Sequence, residues 1–134
     1  MLSLRYSRRW KFAGYALLAL VLVAALAPAS WFWPTGTTLL IVNLDKWLHV
    51  TTFIVLALWF SGQYARRSYW RLVMGLVAFG LLIEVTQRMV SYRTADWLDL
   101  AADVAGVAIG MAIALAGLGG WSQRFEDWLQ YRRG

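Results

Sequence analysis

No charged residue occurs in FAGYALLALVLVAALAPASWFWPTGTTLLIVNL, the stretch from Phe12 to Leu44. Two later stretches, Leu72 to Ile83 and Val104 to Gln123, are also uncharged, and in Trp47 to Ala65 only His49 titrates near neutral pH. A helix needs about 20 mainly apolar residues to cross the hydrocarbon core of a bilayer. These runs therefore predict an all-α membrane protein, a bundle of four transmembrane helices.

The composition agrees with this fold class. The chain has 134 residues, 60% of them hydrophobic, with a mean hydropathy of +0.54. A water-soluble domain of this size needs a more polar surface, so we expect one membrane domain over residues 1–134. With no cysteine, disulfide bonds and thiolate chemistry are excluded. The net charge of +6 is typical of basic cytoplasmic loops, so no nucleic-acid partner is assigned and membrane lipids are the expected surroundings.

The apolar runs and their flanking residues predict where each helix begins and ends. The predicted spans are about Trp10–Ala29, Leu44–Gln63, Trp70–Val90 and Ala95–Leu118. Asn43 and Thr94 are predicted to be the N-caps of the second and fourth helices. The tail from Trp121 to Gly134 alternates aromatic and charged residues, which predicts a short interfacial amphipathic helix.

Basic residues are unevenly divided between the two membrane faces of this arrangement. Ten of the thirteen lie in the N-terminal segment, the turn between helices two and three, and the tail: Arg5, Arg8, Arg9, Lys11, Arg66, Arg67, Arg71, Arg124, Arg132 and Arg133. Cytoplasmic loops hold the excess of Lys and Arg in membrane proteins. Both termini are therefore predicted to be cytoplasmic.

An alternative interpretation of the first helix is a cleavable signal peptide. A basic start, an apolar run and Ala27-Pro28-Ala29 resemble the signal-peptide pattern. The apolar run is somewhat long for this purpose, so a retained helix is the preferred interpretation.

Polar residues interrupt the apolar sequence where three predicted helices reach the same membrane face. They are Asp45, Lys46 and His49 in helix two, Glu84, Gln87 and Arg88 in helix three, and Arg93, Asp96, Asp99 and Asp103 entering helix four. Spacings of three, four and seven residues place each set on one helix face. At 1.5 Å per residue, His49, Glu84 and Asp103 lie roughly 10 Å inside their helix ends. A charge facing lipid there costs on the order of 2–3 kcal/mol, so we expect the faces to meet in an outward-opening polar pocket.

Simpler interpretations exist for several of these residues. Asp45 and Asp96 closely follow the predicted N-caps, where the helix dipole alone favours a carboxylate. Arg88 can extend its guanidinium to the interface. The carboxylates can form a structural ion-pair network, although an intramembrane carboxylate is by default a candidate for function. His49 is supported as a functional residue by the carboxylate of Asp45, four residues before it.

Helix four is also rich in small residues, among which Gly106 and Gly110 form a Gly-x-x-x-Gly pattern. This pattern predicts close packing against another helix. We assign it no chemistry.

The order and spacing of the polar residues resemble the VanZ-like family of small membrane proteins. The resemblance is strongest over residues 40–112 and is carried by Asp45-Lys46-x-x-His49, Glu84-x-x-Gln87, and Arg93 followed by Asp99-x-x-x-Asp103-x-x-Gly106. The chain departs from the family at Val50, where an aromatic residue is common, and at Asp103, where many members have asparagine. The resemblance implies a multi-pass protein of the bacterial cytoplasmic membrane. The family's namesake is associated with resistance to the lipoglycopeptide teicoplanin.

We therefore expect an envelope protein whose polar pocket faces the outside and binds or modifies an envelope headgroup, or a glycopeptide or lipid-linked ligand. The candidate catalytic residues are Asp45, His49, Glu84, Asp99 and Asp103, since a histidine and a carboxylate can act as base and acid. The candidate ligand-binding residues are Lys46, Gln87 and Arg93, and an arginine suits phosphate or carboxylate groups.

Other functions fit the same residues. The alternatives are a non-enzymatic binding or structural membrane protein and a small proton-coupled transporter, although a transporter usually needs more helices or oligomerisation. The histidine and carboxylates could hold a divalent cation, but no recognised metal-ligand motif is present, so no metal is assigned and metal binding is left open. The cofactor, the substrate and the occurrence of any reaction are left open by the sequence.

Overall fold

The computed structural model describes residues 1–28, 38–91 and 96–132, without the side chains of residues 38–43. These residues form five α-helices and no strands: α1 (Ser7–Leu26), α2 (Thr38–Gln63), α3 (Tyr69–Met89), α4 (Trp97–Ile113) and α5 (Trp121–Tyr131). A 3₁₀ helix, Arg66–Ser68, leads into α3, and a π-helical turn, Ala114–Leu118, continues α4. The predicted all-α fold class is confirmed.

Three helix starts differ from the predicted ones by more than one residue, and α1 begins at Ser7 rather than Trp10. α2 begins at Thr38 rather than Leu44, so Asn43 lies inside the helix and is not its N-cap. α4 begins at Trp97 rather than Ala95, and its N-cap is Asp96, whose carboxylate accepts a 2.9 Å hydrogen bond from the Leu98 N–H. α1 ends at Leu26, three residues before the predicted end at Ala29, and the predicted cap Thr94 lies outside the described residues. Asn43 is a residue type typical of an N-cap and stands where the apolar sequence gives way to polar residues. In the structure, α2 continues through this position.

The helices alternate in direction along the bundle. The backbone N–H of Leu2, just before α1, donates to the carbonyl of Gln63 at the end of α2. Near the ends of α1 and α3, the Gln87 amide donates to the carbonyl of Ala25 at 2.9 Å. The chain's start and the α2–α3 turn therefore lie at one end of the bundle. The opposite end holds the ends of α1 and α3 and the starts of α2 and α4.

Helices α2 and α4 run parallel and pack closely through the glycines of α4. A Cβ added to Gly106 would collide with the backbone carbonyl oxygen of Val50, and one added to Gly110 would lie 2.6 Å from Cβ of Ala57. The predicted close approach at these two glycines is confirmed. It also aligns the first turns of α4 with the polar residues of α2.

Among the residues that the structure describes fully, three segments are long and apolar enough to cross a membrane: Ser7–Leu26, Arg66–Met89 and Trp97–Leu118. α2 has 26 residues, but the side chains of its first six lie outside the described part of the chain. Membrane-spanning character is thus shown for three of the four predicted spans, whereas a membrane crossing by α2 stays a prediction.

The C-terminal helix α5 packs against the end of the bundle that holds the chain's start. Gly120, which precedes α5, has φ of 73°, a backbone conformation that glycine adopts without steric cost. The turn places the Trp121 indole N–H 2.9 Å from the Leu58 carbonyl. The rings of Trp10, Trp59 and Trp121 then lie 5.4 to 5.7 Å apart. The predicted tail helix is present, and its location at a membrane interface stays a prediction.

Glu126 joins α5 to the chain's start. Its buried carboxylate accepts hydrogen bonds from the backbone N–H groups of Arg5 at 2.8 Å and Tyr6 at 3.1 Å, and from the Trp10 indole at 2.7 Å. Burial alone would raise the pKa of Glu126, but the three hydrogen bonds outweigh it and hold the pKa below its ordinary value. The acceptor thus stays ionised at neutral pH.

Candidate functional site

A buried histidine–carboxylate pair lies where the first halves of α2 and α4 meet. His49 Nδ1 lies 2.8 Å from Asp103 Oδ1, and Asp103 has no solvent exposure while His49 is 9% exposed. When the Nδ1–H donates to the carboxylate, Nε2 keeps its lone pair and can accept a proton or a ligand. This arrangement orients and polarises an imidazole in hydrolytic and metal sites.

Lys46 forms the second link between α2 and α4, one turn nearer the bundle end. Its Nζ donates to Asp99 Oδ1 at 3.0 Å and to Asp96 Oδ2 at 2.9 Å. The Leu98 N–H and then the Lys46 ammonium hold the pKa of Asp96 below its usual range. Asp99 is buried and Asp96 half-exposed, so Lys46 connects the interior of the cluster with its surface.

Glu84 lies on α3, one turn after Gly80, where α3 and α4 are in close contact: a Cβ added to Gly80 would lie 2.8 Å from Asp103 Oδ2. The side chain of Glu84 is 1% exposed, and neither carboxylate oxygen has a hydrogen-bond partner among the described residues. A buried carboxyl group without a partner is costly. Glu84 therefore stays a candidate site residue.

Asp45 completes the cluster on α2. Candidate ligand atoms of Asp45, His49 and Asp99 all lie within 4.8 Å of one another. Asp45 is partly exposed, whereas the other two residues are buried. These three side chains can therefore contact one small cation or one polar group that enters from the bundle end.

Two other candidates have different surroundings. The Gln87 amide donates to the Ala25 carbonyl of α1, which gives Gln87 a helix-joining contact, while its Oε1 has no partner among the described residues. Arg88, expected to balance a carboxylate or extend to the interface, lies with its guanidinium 4.6 Å from the centroid of the Trp97 ring. Arg93 lies outside the described residues, so its predicted role in anion binding stays a prediction.

The contact between His49 and Asp103 agrees with the prediction that the polar faces of the helices meet across the bundle. Asp45, four residues before His49 on the same helix, makes no hydrogen bond with it among the described residues. The cross-helix pairing also has a signal in the sequence. Lys46 and His49 are three residues apart on α2, and Asp99 and Asp103 are four residues apart on α4. Both spacings correspond to about one helical turn, so two parallel helices in register can pair Lys46 with Asp99 and His49 with Asp103.

The outward pocket stays a prediction. Two cavities formed by described residues, of about 610 Å³ and 370 Å³, lie at the opposite end of the bundle. The larger lies between the first turn of α1 and α5, and the smaller lies beside the α2–α3 turn. Residues 29–37 and 92–95, which connect helices at the polar end, lie outside the described part of the chain.

Comparison with known proteins gives one family. No curated protein and no solved structure matches the chain. The VanZ/LLP1 family matches residues 2–118, a range that includes all four main helices and every residue of the polar cluster. With this coverage, and with helices apolar enough for a bilayer, the chain is a membrane protein that belongs to the VanZ/LLP1 family.

Proposed function

We propose that this VanZ/LLP1-family protein binds the polar headgroup of an envelope lipid or lipid-linked ligand at the α2–α3–α4 cluster and modifies it by acid–base chemistry. The observation that carries the proposal is the buried His49–Asp103 pair, with 2.8 Å between Nδ1 and Oδ1. A histidine oriented by a carboxylate is a common general base. His49 has that role here, and Asp103 positions it.

A second carboxyl group and a cation supply the other functions that such a reaction needs. Glu84 comes from α3, one turn after the glycine that packs against Asp103, and has no partner among the described residues, so it suits proton donation to a leaving group. Lys46 stands at the bundle end, where an anionic headgroup can contact its ammonium. Arg93 is the second proposed anion-binding group.

The proposed membrane orientation places this site on the outside. The apolar runs favour four spanning helices. The excess of basic residues at the end that holds the chain's start favours cytoplasmic termini. Headgroups of the outer leaflet then reach the cluster without crossing the bilayer. A link to lipoglycopeptide resistance follows if the modified lipid is the antibiotic's target or its membrane anchor.

The test compares wild type with His49→Gln, with Asp127→Asn as control. Asp127 is an exposed carboxylate of α5 at the opposite end of the bundle. Each protein is expressed in a bacterial host, and envelope lipids are compared by mass spectrometry alongside lipoglycopeptide susceptibility. Purified protein is then incubated with liposomes of the same lipid extract. Removal of a general base lowers rates by about 10²–10⁴-fold.

We expect wild type and Asp127→Asn to change the amount of at least one headgroup species, and His49→Gln to lose that change while remaining folded. An unchanged lipid profile in cells and in liposomes for wild type would overturn a reaction and favour a binding or structural role. So would His49→Gln with wild-type turnover.

A further inference from the structure

The polar cluster contains more carboxylates than described cations can balance. Lys46 accounts for Asp96 and Asp99 together, and Asp103 shares a hydrogen bond with His49. Asp45 and Glu84 have no ion-pair partner among the described residues. Arg88, the nearest described guanidinium, is placed over the Trp97 ring. Uncompensated negative charge at this depth is unfavourable, so the cluster is suited to bind a cation.

The donor atoms are also arranged as metal ligands are. Asp45, His49 and Asp99 offer one nitrogen and two carboxylate oxygens within 4.8 Å of one another. Ligands of one tetrahedral Zn²⁺ lie about 3.4 Å apart at usual bond lengths. Side-chain rotations that bring the donors up to about 1.4 Å closer would form a site.

The contacts of two of these ligands support the same assignment. When His49 donates its Nδ1–H to Asp103, Nε2 is the nitrogen left to bind a metal, and a carboxylate on the other ring nitrogen is the usual support for a metal-binding histidine. Lys46 donates to Oδ1 of Asp99, so Oδ2 is the oxygen without that contact. A bound ion on Nε2 and Oδ2 leaves both hydrogen bonds in place.

Glu84 is an independent observation that points to a ligand. It comes from a different helix, it is 1% exposed, and both of its oxygens are buried without a partner among the described residues. Oδ2 of Asp103, a second buried oxygen, is also without one. An ion or its coordinated water would give these oxygens the contacts that the described residues do not.

We propose that Asp45, His49 and Asp99 bind one divalent transition-metal ion, with Asp103 orienting His49 and Glu84 completing the coordination sphere directly or through water. A mixed nitrogen and oxygen donor set favours Zn²⁺ or Mn²⁺ over Ca²⁺ or Mg²⁺, which prefer oxygen alone. The inference rests on the proposed function for its location and adds the class of cofactor. Such an ion would hold and polarise an anionic headgroup.

The experiment measures metal binding without any assay of activity. The protein is purified in detergent through a tag that contains no histidine, and metal is removed with a chelator. ZnCl₂ and MnCl₂ are titrated by calorimetry, and CoCl₂ by visible absorption. Because His49 is the only histidine of the chain, protein labelled with ¹⁵N-histidine gives one imidazole whose Nε2 signal reports coordination directly.

Asp45→Asn is the main variant, because Asp45 makes no hydrogen bond with a described residue and its change should leave folding intact. Asp127→Asn is the control. We expect about one equivalent of Zn²⁺ or Mn²⁺ per chain for wild type and Asp127→Asn, at least tenfold weaker binding for Asp45→Asn, and a shifted Nε2 signal in wild type. His49→Gln should bind more weakly still.

The absence of stoichiometric binding by wild type would overturn the metal site, as would equal binding by Asp45→Asn. The proposed function is tested separately from the metal site. If metal-free wild type still changes headgroups and His49→Gln does not, the metal proposal is wrong and the proposed reaction stands. If wild type binds metal but changes no headgroup, the metal site stands and the proposed reaction is wrong.

Discussion

At the scale of single residues, the buried carboxylates differ in what they contact. Asp99 bonds to Lys46 and Asp103 to His49, whereas Glu84 has no partner among the described residues. Removal of the Asp99 charge takes one of two carboxylate partners from Lys46, which is only partly buried. Removal of the Glu84 charge leaves no described cation without a partner. Stability and function should therefore separate across these positions.

We predict that Glu84→Gln folds normally and is inactive. The substitution keeps the shape of the side chain, leaves no described cation unpaired, and removes the group proposed to donate a proton. Headgroup modification should fall by about 10²-fold or more, while the melting temperature in detergent stays within about 2 °C of wild type. Asp103→Asn should fold and keep partial function, because an asparagine oxygen can still accept from His49 Nδ1–H.

Asp99→Asn is the matched contrast for Glu84→Gln. It weakens the acceptor of Lys46 and should lower stability by about 1–3 kcal/mol. If melting temperature and function fall together in all three variants, the cluster is structural and the proposed site is wrong.

Glu126 gives a pH-dependent prediction away from the cluster. Its folded-state pKa lies below the ordinary value of 4.5, so its contribution to stability is complete above that value and is lost as the pH falls through the folded-state pKa. The melting temperature of wild type should therefore exceed that of Glu126→Gln at pH 7, and this difference in melting temperature should shrink below about pH 4.5. Melting curves from pH 7 to pH 3.5 measure this, with Asp127→Asn as control. A difference that is constant with pH would contradict the prediction.

At the scale of helices, the contact between α2 and α4 positions the site. Both polar links, Lys46 to Asp99 and His49 to Asp103, cross this interface, and Gly106 and Gly110 continue it toward the core. Parallel helices that approach closely bring equivalent turns to the same height. The distance between the backbones therefore sets the geometry of the histidine–carboxylate pair.

Gly106→Ala is predicted to disturb packing and site together. The new methyl group meets the Val50 backbone carbonyl, which cannot move without bending α2, so stability should fall by about 1–3 kcal/mol. Gly75→Ala is the control, since nothing lies within 4 Å of the added Cβ, and it should be neutral or stabilising by up to about 1 kcal/mol. Thermal melting in detergent compares the two. Equal behaviour of both variants would contradict the close approach of α2 and α4.

The sequence predicted the approximate positions of the long helices better than it predicted their ends. Uncharged runs located four helices because the bilayer requires length and apolarity. The start of α2 was misplaced because Asn43, Asp45 and Lys46 are residue types typical of a helix start, whereas the helix begins at Thr38. The approach of Asp103 to His49 was predictable, because charged groups at that depth avoid lipid. Spacing along one helix predicts its polar face, and the cost of a charge in lipid predicts that the polar faces meet.

At the scale of the whole molecule, the two bundle ends differ in charge and construction. One end collects the chain's start, the α2–α3 turn and α5, with most of the basic residues; the other holds the polar cluster. Some of those basic groups also cap the end of α4: Arg66 donates to the Leu115 carbonyl, and Arg124 to the carbonyls of Gly117 and Gly119. Cations at a helix C-terminus are favourable in any orientation, so the charge difference has a structural cause beside a topological one.

Topology therefore needs a direct test, and we predict cytoplasmic termini with the cluster outside. Arg5, Arg8, Arg9 and Lys11 lie near the start of α1, where the positive-inside preference acts. A reporter fused after Gly134 should be active only as a cytoplasmic reporter, and one inserted near Ser91 only as an external one. Replacing the four basic residues with glutamine should weaken this preference. The reverse pattern in the unmodified chain would place the cluster in the cytoplasm, where inner-leaflet headgroups become its ligands and a role against external lipoglycopeptides loses its basis.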